Sequence, residues 1–292
     1  MSSHFADRLL AAAERKGAPV CVGLDPKIDR LPDGLRGEPP IEAVGAFCRG
    51  VLEAVAAIVP AVKPQIAYFE ALGPPGTALY FDLVREAKER GLLVIGDVKR
   101  GDIGSTAEAY AAAHLAAEDA PDAVTVNGYF GADGIAPLVE VCRAQGKGVF
   151  VLVRTSNPSS AAIQDFQAAD GTRFYEHMAR QVADVGDAEG LAGQAGFSCV
   201  GAVVGATYPD EARRLRELMP RQIFLVPGYG AQGATAEDCT AAFCGNGTGA
   251  IVNASRSVIY AFSRDEYAGR PWRDAVSTAA KAFAEDISGA LG

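Results

Sequence analysis

Eight short, apolar, β-rich runs recur along the chain and constrain its fold more than any other feature. They are Pro19–Leu24, Ala61–Lys63, Leu92–Val98, Ala123–Val126, Val149–Val153, Cys199–Val204, Ile223–Val226 and Ala250–Val252. Most of the gaps between them carry apolar residues at helical spacing, so strands and helices are predicted to alternate. Alternating units form a parallel sheet, and eight units are the number that closes a barrel. The sequence therefore predicts an α/β fold, a single (β/α)8 TIM barrel, with an open doubly wound sheet as the alternative.

Local signals refine this pattern. We predict one domain over residues 1–292, because no linker or change in composition divides the chain. The long irregular stretch 157–197 holds one predicted helix, around Arg173–Ala183, and its length is typical of an insertion or a lid. Ser105-Thr106-Ala107-Glu108 matches a capping box that would open the helix after the third strand. Gly91 is placed to end the preceding helix.

Charge and composition argue against several classes of protein. The formal net charge of −9 disfavours a surface for nucleic acid or anionic membrane, although a pocket can still be locally positive. The six cysteines form no C-x-x-C pair, as expected of reduced thiols. The most apolar stretch, Val51–Val62, is too short for a membrane span, and the first residues lack the apolar core of a signal peptide. We expect a soluble, cytoplasmic protein with no nucleic-acid or membrane partner.

The third run ends in a cluster of charges, Asp97-Val98-Lys99-Arg100-Gly101-Asp102. Side chains two positions apart on a strand share a face, so Asp97 and Lys99 should point the same way, with Asp102 just beyond. Burying two carboxylates around an ammonium is costly, which indicates a function. The alternative is an ordinary surface salt bridge at the end of a strand.

Polar groups also follow most of the other runs. They include Asp25, Lys63, Asn127, Ser156, Asn253 and Arg256. Each of them alone could be a turn former or a solvated charge. In a barrel, however, the chemistry lies where the strands end. Their shared position therefore predicts a pocket at this rim.

Residues 228–233, after the seventh run, have the glycine spacing of a dinucleotide site. Such a site also needs an acidic residue about 20 positions further on, and no Asp or Glu lies between Asp238 and Asp265. A phosphate grip fits better, because barrels often bind phosphate with the loops after strands seven and eight. Gln232 and Arg256 would supply the hydrogen-bond donors.

Together these segments resemble the orotidine 5′-phosphate decarboxylase family, in its longer bacterial (type 2) form. Asp97, Lys99 and Asp102 match the Asp-x-Lys-x-x-Asp signature, and Lys63-Pro64 matches the family's second-strand lysine. The later matching segments are Thr155-Ser156-Asn157-Pro158, Pro227–Gly233 and Asn253-Ala254-Ser255-Arg256. The resemblance extends from about Val20 to about Ser257.

The resemblance implies decarboxylation of orotidine 5′-phosphate to uridine 5′-phosphate, the last step of pyrimidine nucleotide synthesis, with neither metal nor organic cofactor. Lys99 would protonate C6 of the pyrimidine and Asp97 would lie against the leaving carboxylate. Lys63 and Asp102 would complete a Lys–Asp–Lys–Asp network. A homodimer is implied, in which Asp102 and Thr106 reach the partner's site.

The resemblance also implies a set of substrate-binding residues: Asp25, Lys63, Ile103, Thr106, Ser156, Gln232 and Arg256. Asp25 and Lys63 would bind the ribose hydroxyls, Ser156 the pyrimidine ring, and Gln232 and Arg256 the phosphate. Two points stay open in this pattern. Thr155 could replace Ser156 at the ring, and Gln65 could have a role in substrate binding.

Two other functions compete with this interpretation. A related barrel decarboxylase acts on a sugar-acid phosphate, shares the Asp-x-Lys-x-x-Asp signature and uses its acids to hold Mg²⁺. A non-catalytic nucleotide-phosphate binder could have kept the fold. The segments beyond the signature favour the nucleotide enzyme over the first, and the complete set of four network residues argues against the second. The three histidines lie outside every motif, which disfavours histidine acid–base catalysis.

Overall fold

The computed structural model describes residues 4–230 and 233–292, and in it eight parallel strands close into a barrel. The strands are β1 (Val20–Leu24), β2 (Ala61–Pro64), β3 (Leu93–Arg100), β4 (Ala123–Val126), β5 (Gly148–Arg154), β6 (Ser198–Val204), β7 (Gln222–Pro227) and β8 (Ala250–Ala254). Each strand pairs with its neighbours in sequence, and β8 pairs with β1. The predicted (β/α)8 barrel is confirmed, and the open sheet is excluded.

Helices surround this barrel and connect its strands. They are α1 (Phe5–Lys16), α2 (Pro40–Val55), α3 (Ile66–Glu70), α4 (Pro74–Glu89), α5 (Gly104–Ala111), α6 (Ala132–Gln145), α7 (Ala161–Gln164), α8 (Phe174–Gly186), α9 (Pro209–Leu218), α10 (Ala236–Thr240), α11 (Arg256–Ile259) and α12 (Trp272–Leu291). None of the helices in the described part of the chain combines the length and the apolar character that a membrane crossing requires.

Helix α1 closes the lower end of the barrel, opposite the ends where the strands stop. Its side chains Phe5 and Leu9 are buried in one cluster with residues inside the barrel, among them Phe150. The rings of Phe5 and Phe150 meet edge to face at 5.8 Å. Gly148 makes room for this contact, because a Cβ there would lie 2.2 Å from the Phe5 ring. The sequence patterns above did not predict this helix.

Two local signals had different outcomes. Gly91 follows the last turn of α4 with a left-handed φ of +77°, as the prediction required. The capping box at Ser105 is wrong, because α5 begins at Gly104 and no side chain caps it. Ser105 and Thr106 therefore lie inside the first turn of the helix rather than ahead of it.

The stretch 157–197 contains both α7 and α8. Helix α8 packs against β5 and β6 in the manner of a barrel helix. The residues before it, 157–173, form a short excursion that returns through a hydrogen bond from the Phe174 amide to the Phe166 carbonyl, 2.8 Å long. The excursion begins directly after the end of β5, at the rim of the barrel.

Candidate active site

The carboxyl ends of the strands enclose a cleft of about 400 Å³. Its charged lining residues are Lys63, Asp97 and Lys99. Its apolar lining residues are Leu152, Val203, Leu225 and Pro227. The cleft therefore combines a cluster of charges with apolar lining.

Asp97 lies at the centre of this cluster, between two ammonium groups. Its Oδ2 is 2.6 Å from Lys63 Nζ, and its Oδ1 is 2.5 Å from Lys99 Nζ. Lys63 and Asp97 are both buried, with 6% of each residue exposed. Lys99 is the more open partner, since 45% of its side chain is exposed at the cleft. The structure thus brings together three of the four predicted network residues.

The two ammonium groups keep Asp97 ionised despite its burial. Burial alone would raise the pKa of this carboxyl, but Lys63 and Lys99 outweigh it and hold the pKa well below its ordinary value. Burial likewise disfavours the charged form of Lys63, but the carboxylates of Asp97 and Asp25 outweigh it, and the pKa of Lys63 is raised. Asp97 and Lys63 are therefore both charged at neutral pH.

The backbone at Lys99 is unusual. Its φ is +46°, and it is the only described residue other than glycine with a positive φ. The pairing of β3 with β4 also shifts register between Gly96 and Arg100, so the end of β3 is irregular. Asp97 and Lys99 meet as predicted, but a bulged strand brings them together instead of a regular pleat. Backbone strain of this kind costs about 1–3 kcal/mol and is concentrated at functional sites.

Two neutral side chains also contact Asp97. Thr125 Oγ1, from β4, donates a hydrogen bond to Oδ1 at 2.9 Å, and Gln65 Nε2 donates one to Oδ2 at 3.0 Å. The sequence patterns did not identify Thr125. The available signal was weak, since it is one polar residue in the otherwise apolar strand Ala123–Val126.

Asp25 follows β1 and lies close enough to Lys63 to raise its pKa. Its Oδ1 is buried and has no hydrogen-bond partner among the described residues. Its backbone carbonyl is held by the hydroxyl of Tyr260 at 2.9 Å. A fixed carboxylate with a free, buried oxygen can accept a hydrogen bond from a ligand hydroxyl.

Thr155 and Ser156 line the cleft at the end of β5. The Thr155 hydroxyl is engaged within the protein, because it donates to Asn157 Oδ1 at 2.6 Å and accepts from Gln164 Nε2 at 2.8 Å. The Ser156 side chain makes no hydrogen bond with any described residue, so it is free to contact a ligand.

Arg154, just before these two residues, holds the 157–173 excursion against the barrel. Its guanidinium is 2% exposed and forms ion pairs with Glu211 of α9 at 2.6 Å and Asp165 at 3.0 Å. It also lies over the rings of Tyr175 and Tyr208. The sequence placed Arg154 at a strand end but gave it no role.

Of the predicted partner-facing residues, Asp102 and Ile103 lie on the β3–α5 connection and Thr106 lies in the first turn of α5. Asp102 accepts a hydrogen bond from the Ile103 amide at 2.8 Å and forms no ion pair with a described lysine or arginine. Ile103 is 56% exposed, and Thr106 is also exposed. The structure therefore does not bring Asp102 into contact with Lys63 or Lys99 of the same chain.

The predicted phosphate end lies between β7 and α11. Gly228, Gly230 and Gly233 all have positive φ values, a backbone conformation that favours glycine. Arg256 is exposed at the first position of α11. Its charge opposes the rise in the pKa of Tyr68 that burial and Asp25 cause. Gln232, predicted as the second donor, lies outside the described residues.

A metal-ligand cluster was another possible arrangement for these acids. Over residues 4–230 and 233–292, no three His, Cys, Asp or Glu side chains are grouped so that they could hold a metal ion.

The chain matches the family model for the orotidine 5′-phosphate decarboxylase / HUMPS family over residues 18–269. It is 44% identical to the orotidine 5′-phosphate decarboxylase of Rhodopirellula baltica, with 98% of this chain and 99% of the relative covered. It is 42% identical to that of Deinococcus radiodurans over the whole of both chains. The solved structure of Leishmania donovani OMP decarboxylase superposes with a TM-score of 0.79 at 30% identity, covering 99% of this chain and 98% of that one. The protein thus belongs to the orotidine 5′-phosphate decarboxylase / HUMPS family.

Proposed function

We propose that this protein is a carboxy-lyase that converts orotidine 5′-phosphate to uridine 5′-phosphate and carbon dioxide in pyrimidine biosynthesis. The observation that carries the proposal is Asp97 held between the ammonium groups of Lys63 and Lys99 in a cleft that also has apolar lining residues. The names of the relatives at 42–44% identity point the same way. We place the reaction in the cytoplasm, since all six cysteines are free thiols.

Lys99 supplies the proton in this mechanism. When the bond between C6 and the carboxylate breaks, carbon dioxide leaves and the electron pair remains on C6. A fixed ammonium at that point stabilises the transition state more than the ground state. The proton then moves from Lys99 Nζ to C6, and the neutral amine recovers a proton from solvent. No metal or organic cofactor is needed, because the ammonium itself stabilises the developing charge.

Asp97 fixes the position and the charge of Lys99. Its carboxylate is 2.5 Å from Lys99 Nζ and remains ionised because Lys63 lies on its other side. In the substrate complex it would also face the departing carboxylate. The repulsion between these two charges disappears once carbon dioxide has left.

The remaining side chains bind the substrate. Asp25 and Lys63 would hold the ribose hydroxyls, and Ser156, whose side chain is unengaged, would contact the pyrimidine ring. Arg256 and Gln232 would bind the phosphate. Because the phosphate lies far from C6, its binding energy can be used to order the site. We include a lid role for 157–197, supported by the contacts of this stretch with Thr155.

We further propose that two copies of the chain form a homodimer with shared sites. Asp102 and Ile103 directly precede α5, Thr106 lies in its first turn, and Asp102 has no ion-pair partner among the described residues. In a dimer, Asp102 would complete the network beside Lys99 of the partner chain, and Ile103 and Thr106 would contact the partner's substrate.

Turnover of orotidine 5′-phosphate in EDTA tests the proposal. We expect the orotate chromophore to disappear with the wild-type protein. Lys99→Ala should lower kcat by at least about 100- to 1000-fold, because it removes the group that stabilises the developing charge. Binding of uridine 5′-phosphate by this variant should persist, since its phosphate contacts are unchanged.

Other outcomes would identify a different protein. Tight binding of uridine 5′-phosphate without turnover would indicate a non-catalytic nucleotide binder. Turnover of a sugar-acid phosphate that depends on added Mg²⁺ would indicate the related barrel decarboxylase.

A further inference from the structure

The hydroxyl of Thr125 makes two hydrogen bonds at the centre of the site. It accepts from the backbone amide of Lys99 at 3.0 Å and donates to Asp97 Oδ1 at 2.9 Å. Thr125 is buried, with 1% of the residue exposed. An amide can only donate, so the single hydroxyl proton must point to the carboxylate. The direction of both bonds is therefore fixed.

These bonds reach the two residues whose placement matters most. The amide belongs to Lys99, whose left-handed φ of +46° an L-residue adopts only when its surroundings hold it. The carboxylate belongs to Asp97, which in turn holds the Lys99 ammonium. Thr125 therefore contacts Lys99 at its backbone directly and at its side chain through Asp97.

We propose that Thr125 is a positioning residue, whose hydroxyl holds the Asp97 carboxylate and the Lys99 backbone in the arrangement that decarboxylation requires. Its kinetic consequence rests on the proposed function. Asp97 orients the Lys99 ammonium, while Thr125 connects the irregular end of β3 to the neighbouring strand β4 through its hydrogen bonds.

The fold itself does not require a hydroxyl at this position. Val124 and Val126, the neighbours of Thr125 in β4, are both buried, and valine suits a buried strand as well as threonine does. Valine also has nearly the same shape as threonine. Among the described residues, the hydrogen bonds to Asp97 and to the Lys99 amide are therefore the only ones that a valine at position 125 would lose.

The test compares Thr125→Val with Thr125→Ser, using Thr248→Val as the matched control at the opposite end of the barrel, where the hydroxyl bonds to Asn246. Thr125→Val should lower kcat about 10- to 100-fold, because small displacements of catalytic groups cost that much. The KM and the affinity for uridine 5′-phosphate should stay near wild type. Thr125→Ser, which keeps the hydroxyl, should recover most of the lost kcat, and Thr248→Val should leave kcat unchanged.

A second measurement on the free protein does not depend on turnover. An acylating reagent reacts only with a neutral, accessible amine, so its rate of reaction at Lys99, measured by mass spectrometry, reports how firmly Asp97 holds this side chain as an ammonium, with exposed Lys27 as the internal reference. Thr125→Val should raise the relative labelling of Lys99 about two- to tenfold, the effect of losing one hydrogen bond. Thr125→Ser should label like wild type.

The proposal is overturned if Thr125→Val labels Lys99 at the wild-type rate, or if Thr125→Ser is as impaired as Thr125→Val. A rise in KM with unchanged kcat would also contradict it, because that result indicates a direct substrate contact. Failure of the wild-type protein to turn over orotidine 5′-phosphate would instead refute the proposed function, and the labelling result would still decide the role of Thr125.

Discussion

At the scale of the residue, Asp97 is a carboxylate with every acceptor position in use. Each of its oxygens receives one ammonium and one neutral donor, Lys99 with Thr125 on Oδ1 and Lys63 with Gln65 on Oδ2. A carboxylate has about four such positions. Asp97 is therefore suited to be a fixed negative charge rather than a group that takes up and releases protons during the reaction.

This arrangement predicts how stability depends on pH. The folded-state pKa of Asp97 lies below its unfolded value, so the stabilisation is complete above about pH 3.9 and is lost as the pH falls further. Lys63 has a raised pKa, so its stabilisation is present below about pH 10.4 and is lost only as the pH rises beyond that. Between these limits neither group makes stability depend on pH.

Urea unfolding between pH 2.5 and pH 4 measures the pH dependence of stability that Asp97 is expected to cause. The slope of unfolding free energy against pH should be shallower in Asp97→Asn than in wild type, by up to about 1.4 kcal/mol per pH unit. Asp210→Asn, at a fully exposed position on α9, should keep the wild-type slope. Equal slopes for wild type and Asp97→Asn would show that this carboxylate has no lowered pKa in the folded protein.

At the scale of the element, one buried arginine is a main anchor of the 157–173 excursion. Arg154 joins β5 to Asp165 in the excursion and to Glu211 in α9. The same excursion contacts the cleft through Gln164, which bonds to the Thr155 amide at 3.0 Å. The contacts that would couple ligand binding in the cleft to a movement of the excursion are thus concentrated at the end of β5.

Arg154→Met should therefore destabilise the protein and loosen the excursion. Removing one partner of a buried ion pair costs about 3–5 kcal/mol, whereas Arg213→Met, in an exposed pair on α9, should cost less than about 1 kcal/mol. Urea unfolding measures the first effect. Limited proteolysis should show faster cleavage within 157–173 in Arg154→Met, and protection of this segment in wild type when a nucleotide analogue binds.

Asp165→Asn provides a milder variant should Arg154→Met fail to fold, because it cuts only the link to the excursion. Unchanged cleavage in a folded variant would show that Arg154 does not hold this segment. If nucleotide gave wild type no protection, the lid role of 157–197 would have to be abandoned.

At the scale of the whole molecule, the rim of the barrel carries several cationic side chains, some of them paired with carboxylates, in an otherwise acidic protein. The net charge is −9, yet Lys63 and Lys99 meet at the cleft and Arg256 lies at the same rim. Asp102 stands apart from them on its own chain. If the site is shared between two copies, each chain alone holds an incomplete network.

Mixed dimers test this sharing. Lys99→Ala and Asp102→Ala should each be nearly inactive. When the two are unfolded together and refolded at equal amounts, half of the dimers are hybrids, and each hybrid has one complete site, so about a quarter of wild-type activity should return. Refolding of each variant alone is the control. No recovery from variants that fold and dimerise would place Asp102 outside the partner's site.

Much of the fold could be predicted because its signal is local. Buried parallel strands are continuous apolar runs, and every predicted strand lies within two residues of an observed one at both ends. The contact between Asp97 and Lys99 was also within reach, because the residues are two positions apart. The position of Ser105 shows the limit of such signals, since a matching tetrapeptide did not decide where α5 begins.

The features of the site that the sequence patterns did not predict depend mostly on contacts between residues distant in sequence. The role proposed for Thr125 depends on β4 lying beside the irregular end of β3, and no pattern around residue 125 contains that information. Arg154 likewise acquires its role from Glu211, 57 positions away. The left-handed φ of Lys99 contradicts local preference, as strained positions at functional sites do.

Helix α1 packs into the barrel at the end opposite the cleft, so we expect substrate and products to enter and leave through the cleft. Orotidine 5′-phosphate, carbon dioxide and uridine 5′-phosphate would all have to pass the same rim, past the same excursion. We expect the products to be released in order of size: carbon dioxide leaves first, past the bound nucleotide, and uridine 5′-phosphate leaves last. Release of the nucleotide would then limit kcat. A kcat that falls as solvent viscosity rises would support this, whereas a kcat that does not change with viscosity would show that the chemical step is rate-limiting.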